Sequence, residues 1–279
     1  MGSELPAGYP PATWRLLVDG EADGATNMAF DQAILEAVAE GASLPTLRFY
    51  AWAPPCLSLG RGQPLADADQ DACRGAGVEI VRRPTGGRSI LHTDELTYSV
   101  SLLQSDPRAE GGVVESYRRL SEGLLAGLHR LGVQVAQSVS RGLGIAADSA
   151  VCFETPADYE ITADGRKLVG SAQWRTRGGV LQHGTLPLYG DLTRIVDYVV
   201  VPDAERGAQR RYLQLQALTL EEARGQRVSF AAATQALIAG FAQALDLTLL
   251  PGELTSSERA RSAEIRANVY ASPDWTARL

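Results

Sequence analysis

Apolar and polar positions along the chain fall into two rhythms, one with the period of a helix and one with the period of a strand. Trp14 to Val18 reads as a short strand, after which Thr26 or Asn27 caps the helix NMAFDQAILEAVAEG. Met28, Ala29, Ile34, Leu35 and Val38 give that helix its apolar stripe, Gly41 closes it, and Met28 is assigned to the core. Two apolar runs follow, TLRFYAW (46–52) and CLSLG (56–60), separated by the helix-breaking turn Pro54-Pro55. Residues 64–74 predict a short helix ended by Gly75 and Gly77, and Val78 to Val81 a strand. Leu96, Tyr98, Val100 and Leu102 alternate as in a half-buried strand. Residues 114–132 predict an amphipathic helix with Tyr117, Leu120, Leu124, Leu125 and Leu128 inward and His129 outward.

Val133 to Val139 predicts another strand, and a Gly/Ala-rich loop from Arg141 to Ala150 delivers Cys152. Tyr159 to Thr162 and Arg166 to Gln173 then read as the arms of a hairpin turning at Ala163-Asp164-Gly165. A second turn at Arg177-Gly178-Gly179 leads into a strand over Val180 to Leu188, so that three antiparallel strands carry Lys167, Gln173 and His183. Residues 203–215 read as a loop or exposed helix. Thr219 with Glu222, Ser229, and Thr255 with Glu258 mark three further helix starts, with LTLL as a strand between the last two. Without repeats or a convincing linker, the expectation is a single domain over 1–279, its core at about 14–250 and a helical end at 251–279.

Composition narrows the class. A chain of 279 residues with 45% hydrophobic and 21% charged residues is of ordinary globular type, and its net charge of −7 argues against broad nucleic-acid binding. The leader MGSELPAGYPPAT is polar and Pro-rich, and no apolar run has membrane length, so the expected compartment is the cytoplasm. Three cysteines cannot all pair, and no Cys/His spacing suggests zinc; Cys56 and Cys73 sit in a strand-like and a helix-like run, as packing residues.

One residue type stands out. The 26 basic residues include a single lysine, Lys167, so this position keeps an ammonium where the rest of the chain uses guanidinium. The hairpin can bring Lys167 back toward Cys152, fifteen residues earlier, and a neighbouring ammonium stabilises a thiolate nucleophile. From these two residues alone, a buried apolar cysteine with a surface lysine is the reading to prefer. A second stretch, RRPTGGRSILH (82–92), runs from a strand into Gly86-Gly87 flanked by Arg82, Arg83 and Arg88. Glycines there let backbone approach a ligand and arginines offer charge, although a bare glycine pair also serves as a plain turn, and a lone His92 as a structural residue.

Taken together, NMAFDQAIL, LRFYAWAPPCLSLG, RRPTGGRSILHTDELTYS, CFETPADYEI, GRKLVGSAQ and LQHGTLPL resemble the biotin/lipoate protein ligase superfamily, and within it the octanoyltransferases of the LipM type. The resemblance runs from about Trp14 to the last helix. It implies an α/β (α+β) fold with a central mixed, largely antiparallel sheet flanked by helices around a narrow acyl tunnel. It also implies that Arg83, Thr85, Gly86, Gly87 and His92 line an acyl pocket, joined by Gly170, Ser171, Ala172 and Gln173 of the GSAQ motif and by His183 and Gly184. Cys152 would form the acyl-enzyme and Lys167 would lower its pKa. The implied donor is octanoyl-acyl-carrier protein, the acceptor a lysine on a lipoyl domain such as the glycine cleavage H protein, with no ATP, metal, nucleic acid or membrane required.

Other activities share much of this pattern. An ATP-dependent lipoate–protein ligase would use Lys167 to hold an acyl-adenylate but does not require the CF cysteine. An amidotransferase between lipoyl proteins shares the cysteine, and RRPTGGRSILH with ELTYS favours the octanoyltransferase. A biotin ligase would need a basic glycine-rich loop that LGRGQPLAD lacks. A cysteine thioesterase would release free octanoate, and a non-catalytic carrier-binding protein would not need Cys152 and Lys167. Because both protein partners tend to be acidic, Arg175, Arg177, Arg206, Arg210 and Arg211 are the candidate docking residues.

Overall fold

A computed structural model describes residues 8–137 and 160–279. The N-terminal strand β1 (Ala12–Ala22) leads through helix α1 (Gly24–Ala39) to β2 (Thr46–Trp52), which lies parallel beside it. The rest of the large sheet is mostly antiparallel. β6 (Glu95–Leu103) pairs with β2, β10 (Gly179–Pro187) with β6, β9 (Arg166–Arg175) with β10, β8 (Ile161–Ala163) with β9, and β7 (Ala136–Gln137) with β8. β11 (Leu247–Pro251) closes the other edge parallel to β1, giving the order β11-β1-β2-β6-β10-β9-β8-β7. A separate three-stranded sheet holds β4 (Glu79–Arg82), β3 (Cys56–Leu59) and β5 (Ile90–His92) in the order β4-β3-β5. Pro54-Pro55 is thus the point where the chain leaves one sheet for the other, a division not foreseen from the two apolar runs.

Both faces of the large sheet are covered. Leu47, Phe49, Leu96, Tyr98 and Val100 pack against α3 (Val113–Arg130) and α6 (Phe230–Ala244), with Phe241 set edge-on to Phe49 at 6.5 Å. The opposite face, carrying Arg48, Tyr50, Thr97, Ser99 and His183, lies under α1, behind which packs α7 (Ser256–Ile265). β6 is therefore buried on both sides, not half-buried as its alternation suggested, because its polar alternate positions face a helix and not water.

Local chemistry sets most of the boundaries. Asp164 and Gly165 take φ of +50° and +73°, the left-handed pair that a two-residue hairpin turn requires, so the DG step fixes β8 against β9. Thr255 and Glu258, expected as a helix start, form a full capping box, whereas the capping box expected of Thr219 and Glu222 is a simple cap in which the Thr219 hydroxyl accepts from the Glu222 amide at the start of α5 (Leu220–Arg224); the Ser229 hydroxyl caps α6 in the same way. Elsewhere the expectation needs correction. The cap of α1 is Asp23, whose Oδ1 accepts from the Thr26 amide at 2.7 Å, while Asn27 is buried inside the helix and donates to Ala22 O and Ala51 O. The helix expected over 64–74 divides into a 3₁₀ turn at Leu65–Asp67 and α2 (Gln70–Ala76), because Asp69 caps anew, so Gly75 lies inside the helix and only Gly77 ends it. Residues 203–215 form the helix α4 (Asp203–Gln216). Of the strand expected over 133–139, Ala136–Gln137 is paired, and its end lies outside the described residues.

The C-terminal segment is tied to the front of the molecule twice. Arg15 on β1 donates two bonds to Glu258 on α7, at 2.7 and 2.6 Å. Arg82, at the end of β4, donates to the carbonyls of Thr276 (2.7 Å) and Gly60 (2.8 Å), and Trp275 Nε1 donates back to Arg82 O at 2.8 Å. Burial by itself would raise the Glu258 carboxyl, but the Arg15 guanidinium, the Thr255 amide and the Ser43 hydroxyl outweigh it and hold the group below its ordinary value of 4.5. A carboxylate depressed in the folded state contributes stability above its unfolded pKa and loses it as pH falls through the folded one. Glu258→Gln should therefore cost about 3–5 kcal/mol near neutrality by leaving the Arg15 charge buried and unpaired. Denaturant melts of both proteins should show that deficit intact above pH 4.5 and closing below it.

Candidate active site

Between the two sheets lies a cavity of about 590 Å³, within the usual size of a small-molecule site. Its walls draw on α1 (Met28), β2 (Tyr50, Trp52), β9 (Lys167 and Gly170 to Gln173), β10 (His183 to Thr185) and the loop between β4 and β5. Strand register explains why residues distant in sequence meet here. Tyr50 stands opposite Thr97, Thr97 opposite Thr185, and Thr185 opposite Gly170, a row crossing four neighbouring strands. Of the expected site residues, Arg83, Gly86, Gly87, His92, Lys167, Gly170, Ser171, Ala172, Gln173, His183 and Gly184 all line this cavity. Thr85 does not line it but stands behind the wall, and Cys152 lies outside the described residues.

Two relays of carboxylate, imidazole and hydroxyl support the glycine loop. In the first, Asp31 on α1, fully buried, faces His183 Nδ1 at 3.4 Å, and His183 Nε2 meets Thr85 Oγ1 at 2.7 Å. Since a carboxylate only accepts, Nδ1–H donates to Asp31 and Nε2 accepts from the Thr85 hydroxyl. Burial pushes His183 below its ordinary value against the pull of Asp31, so the ring is neutral at neutral pH. Burial would raise Asp31, yet His183, Arg48 and Ser99 outweigh it and hold the carboxyl low. In the second relay, Glu95 Oε1 accepts from His92 Nδ1 at 2.6 Å, and His92 Nε2 meets Ser58 Oγ at 2.8 Å. Trp52 stacks on the His92 ring with centroids 4.0 Å apart and donates its indole N–H to Thr97, which donates to Glu95. Burial lifts Glu95, but His92 with the Thr185 and Thr97 hydroxyls brings it below its ordinary value.

The glycine loop itself is held by its carbonyls. Arg83 donates to Gly86 O at 2.9 Å, Arg88 O at 2.7 Å and Ser58 Oγ at 3.1 Å. Gly60 comes so close that a Cβ built on it would lie 1.9 Å from Gly87 O, so only glycine fits there. Gly86 and Gly87 stay exposed at the rim.

Lys167 is buried, 5% exposed, with its Nζ in ion-pair contact with Glu160, itself 4% exposed. Neighbouring Ser171 meets Tyr98 Oη at 2.7 Å, and Tyr98 accepts from Gln182, which accepts in turn from Gln173. Gln173 thereby reaches Ser116 at the start of α3.

Glu160, Asp31, Glu95, Ser58 and Trp52 were not anticipated as site residues. Their partners lie far away in sequence or on another element, and only the motifs around them carry a signal. Met28 is core, as expected, but one side of it also forms cavity wall. Cys56 and Cys73 are buried, and burial pushes the Cys56 thiol well up and that of Cys73 to about 11, as suits packing residues. Among the expected docking arginines, Arg175 is committed to the carbonyls of Ala109, Gly111 and Gly112, and Arg206 and Arg210 pair with Asp197, whereas Arg177 and Arg211 are exposed.

Comparison with known proteins agrees with this architecture. Residues 23–242 match the lipoyl protein ligase A/B catalytic domain. The chain is 42% identical to octanoyltransferase LipM of Kyrpidia tusciae over 95% of its own length and 99% of that protein's. It is 44% identical to octanoyltransferase LipM of Moorella thermoacetica, over 96% of this chain and 99% of the relative. Among solved structures, a bipartite lipoate protein ligase from Thermoplasma acidophilum superposes with a TM-score of 0.81 at 21% identity, covering 96% of this chain and 98% of that one. A lipoate-protein ligase A bound with ATP superposes at 0.77 and 22% identity, over 96% and 99% of the two chains. These structures share the fold, and the sequence relatives place the chain more finely: it belongs to the lipoyl protein ligase A/B catalytic-domain family, among the octanoyltransferases of the LipM type.

Proposed function

We propose that this chain takes an octanoyl group from octanoyl-acyl-carrier protein onto Cys152 as a thioester and passes it to the lysine of a lipoyl domain, such as the glycine cleavage H protein. The observation that carries the proposal is Lys167, the single lysine of the chain, buried on the wall of a cavity otherwise lined largely by apolar and neutral groups. A fixed ammonium there favours a thiolate over a thiol and so prepares the attacking sulfur. Met28, Tyr50, Trp52 and Ile90 supply the apolar contact for the acyl chain at about 0.8 kcal/mol per methylene.

The chemistry needs no activation by ATP. Exchange of one thioester for another is nearly isoenergetic, and transfer from a thioester to an amine forms the more stable amide. The relays through His183 and His92 hold the glycine loop still, so the exposed amides of Gly86 and Gly87 are the donors assigned to the developing oxyanion, each worth about 3 kcal/mol.

Intact mass after mixing the protein with octanoyl-carrier protein, without ATP, should show one octanoyl adduct that neutral hydroxylamine releases and Cys152→Ser lacks. An apo-lipoyl domain should then take up the group on its lysine. Modification of that domain only with octanoate and ATP would instead establish a ligase. In Lys167→Ala, alkylation of Cys152 by iodoacetamide should shift to higher pH, since the thiolate has lost its counter-charge. Gly60→Ala should slow octanoyl transfer by about 10²-fold, because the added Cβ displaces the loop bearing the oxyanion donors. Steady-state kinetics should show that loss in kcat, with KM for either protein partner little changed.

A further inference from the structure

Glu160 has no task in the reaction as written above, yet it touches its central cation. Among the described residues it is the only carboxylate on the cavity wall, and it is in ion-pair contact with Lys167 Nζ. The other buried acids nearby, Asp31 and Glu95, are turned to His183 and His92. Among the described residues, the remaining charged or titratable groups on that wall are Arg83 and Arg88 of the glycine loop, His92 on β5, His183 on β10 and Tyr50 on β2. Arginines do not take up protons at working pH. Both ring nitrogens of His92 and of His183 are engaged, and the Tyr50 hydroxyl donates to Asp31 at 2.9 Å. Neither histidine therefore offers a lone pair to a reacting group.

Both half-reactions release protons into this cavity. The Cys152 thiol must lose one before it attacks, and the acceptor lysine, which arrives as an ammonium, must lose one before its nitrogen becomes nucleophilic. Lys167 is poorly suited to accept them. An ammonium against a buried carboxylate is held in its charged form, because each charge offsets the other's loss of hydration.

We propose that Glu160 is the proton acceptor of both half-reactions and that Lys167 stays protonated throughout, exchanging its ion-pair partner between Glu160 and the Cys152 thiolate. This rests on the thioester route through Cys152 set out above. In the first half-reaction the thiol proton passes to Glu160, the sulfur forms its bond to the acyl carbon, and the carrier's thiolate leaves with the proton that Glu160 returns. In the second, the acceptor ammonium gives one proton to Glu160 and its freed electron pair forms the C–N bond. As the C–S bond breaks, its electron pair remains on Cys152 and the second nitrogen proton goes to that sulfur. Two protons leave the nitrogen, one to Glu160 and one to Cys152, and charge is conserved. When Glu160 is protonated, Lys167 is released to balance the thiolate.

The test is the single-turnover rate of octanoyl transfer from pre-acylated enzyme to an apo-lipoyl domain, read by rapid quench and intact mass across about pH 6 to 9. The wild type should be nearly flat through neutrality. Glu160→Gln should be slower by about 10²-fold at pH 7 and regain rate as pH rises and the acceptor amine deprotonates unaided. Glu160→Asp, which keeps the carboxylate, should recover most of the wild-type rate and its flat profile. If Lys167 were the base, removing its carboxylate partner would favour its neutral form, and Glu160→Gln would keep its profile or move the rising limb to lower pH. That result overturns the proposal. So does a uniform loss at every pH that Glu160→Asp shares, which marks Glu160 as a structural prop. Failure of the wild type to form any octanoyl adduct would overturn the thioester route first, and the role of Glu160 with it.

Discussion

The arrangement depends on one buried charge. Asp31 sits on α1 with no exposure and accepts from Arg48 and Tyr50 on β2, Ser99 on β6 and His183 on β10. A carboxylate taken out of water costs several kcal/mol unless its lone pairs are met, and here three strands of one sheet meet them. The hydrogen bonds can only be made together if α1 lies across the sheet at one height and one rotation. The packing of α1 is thereby specified by directional contacts as well as by its apolar stripe, and one of those contacts, His183, already belongs to the cavity. Fold and site share a residue, so the placement of the helix and of the imidazole are one problem with one solution.

The cavity exists because two sheets divide the labour. The large sheet supplies a rigid floor whose register sets Lys167, Ser171, Gln173 and His183 at defined spacings. The small sheet supplies β4 and β5 and the glycine loop strung between them. A loop so rich in glycine would be mobile if left to itself; here its carbonyls are held by Arg83, its hydroxyl by His183, and its backbone by contact with Gly60. Gly86 and Gly87 are thereby held at the exposed rim of the cavity on a loop that cannot drift.

Much of this was legible in the chain. The DG turn fixed the Lys167 hairpin, the capping box at Thr255 and Glu258 announced α7, and the six motifs pointed to the family. What escaped notice has a common physical form. Glu160, Asp31 and Glu95 are acids that look solvent-facing in any local window, and their burial is decided by a cation or imidazole brought in from another element. Asp23 displaced Thr26 and Asn27 as the cap because all three residue types can serve, and the choice falls on whichever the incoming strand leaves at the first turn. The polar alternation of β6 suggested water on one side, whereas the neighbour proved to be the polar underside of α1. Pattern reports polarity; only topology reports what the polar side faces.

Arg82 carries a consequence of a different kind. It lies one residue before Arg83, the clamp of the glycine loop, and one side of its guanidinium is held by nearby Gly60 while the other is held by a carbonyl nearly two hundred positions later, with Arg82 Nη2 and Thr276 O separated by 194 in sequence. Closing a chain loop of that length gains nothing until both ends are present and the intervening sheet has formed. During synthesis the strands of the small sheet emerge long before the segment that locks their loop. The anchoring of β4 is thus among the last contacts of the molecule to form, and a nascent chain can own every residue of the site while still lacking one of its supports.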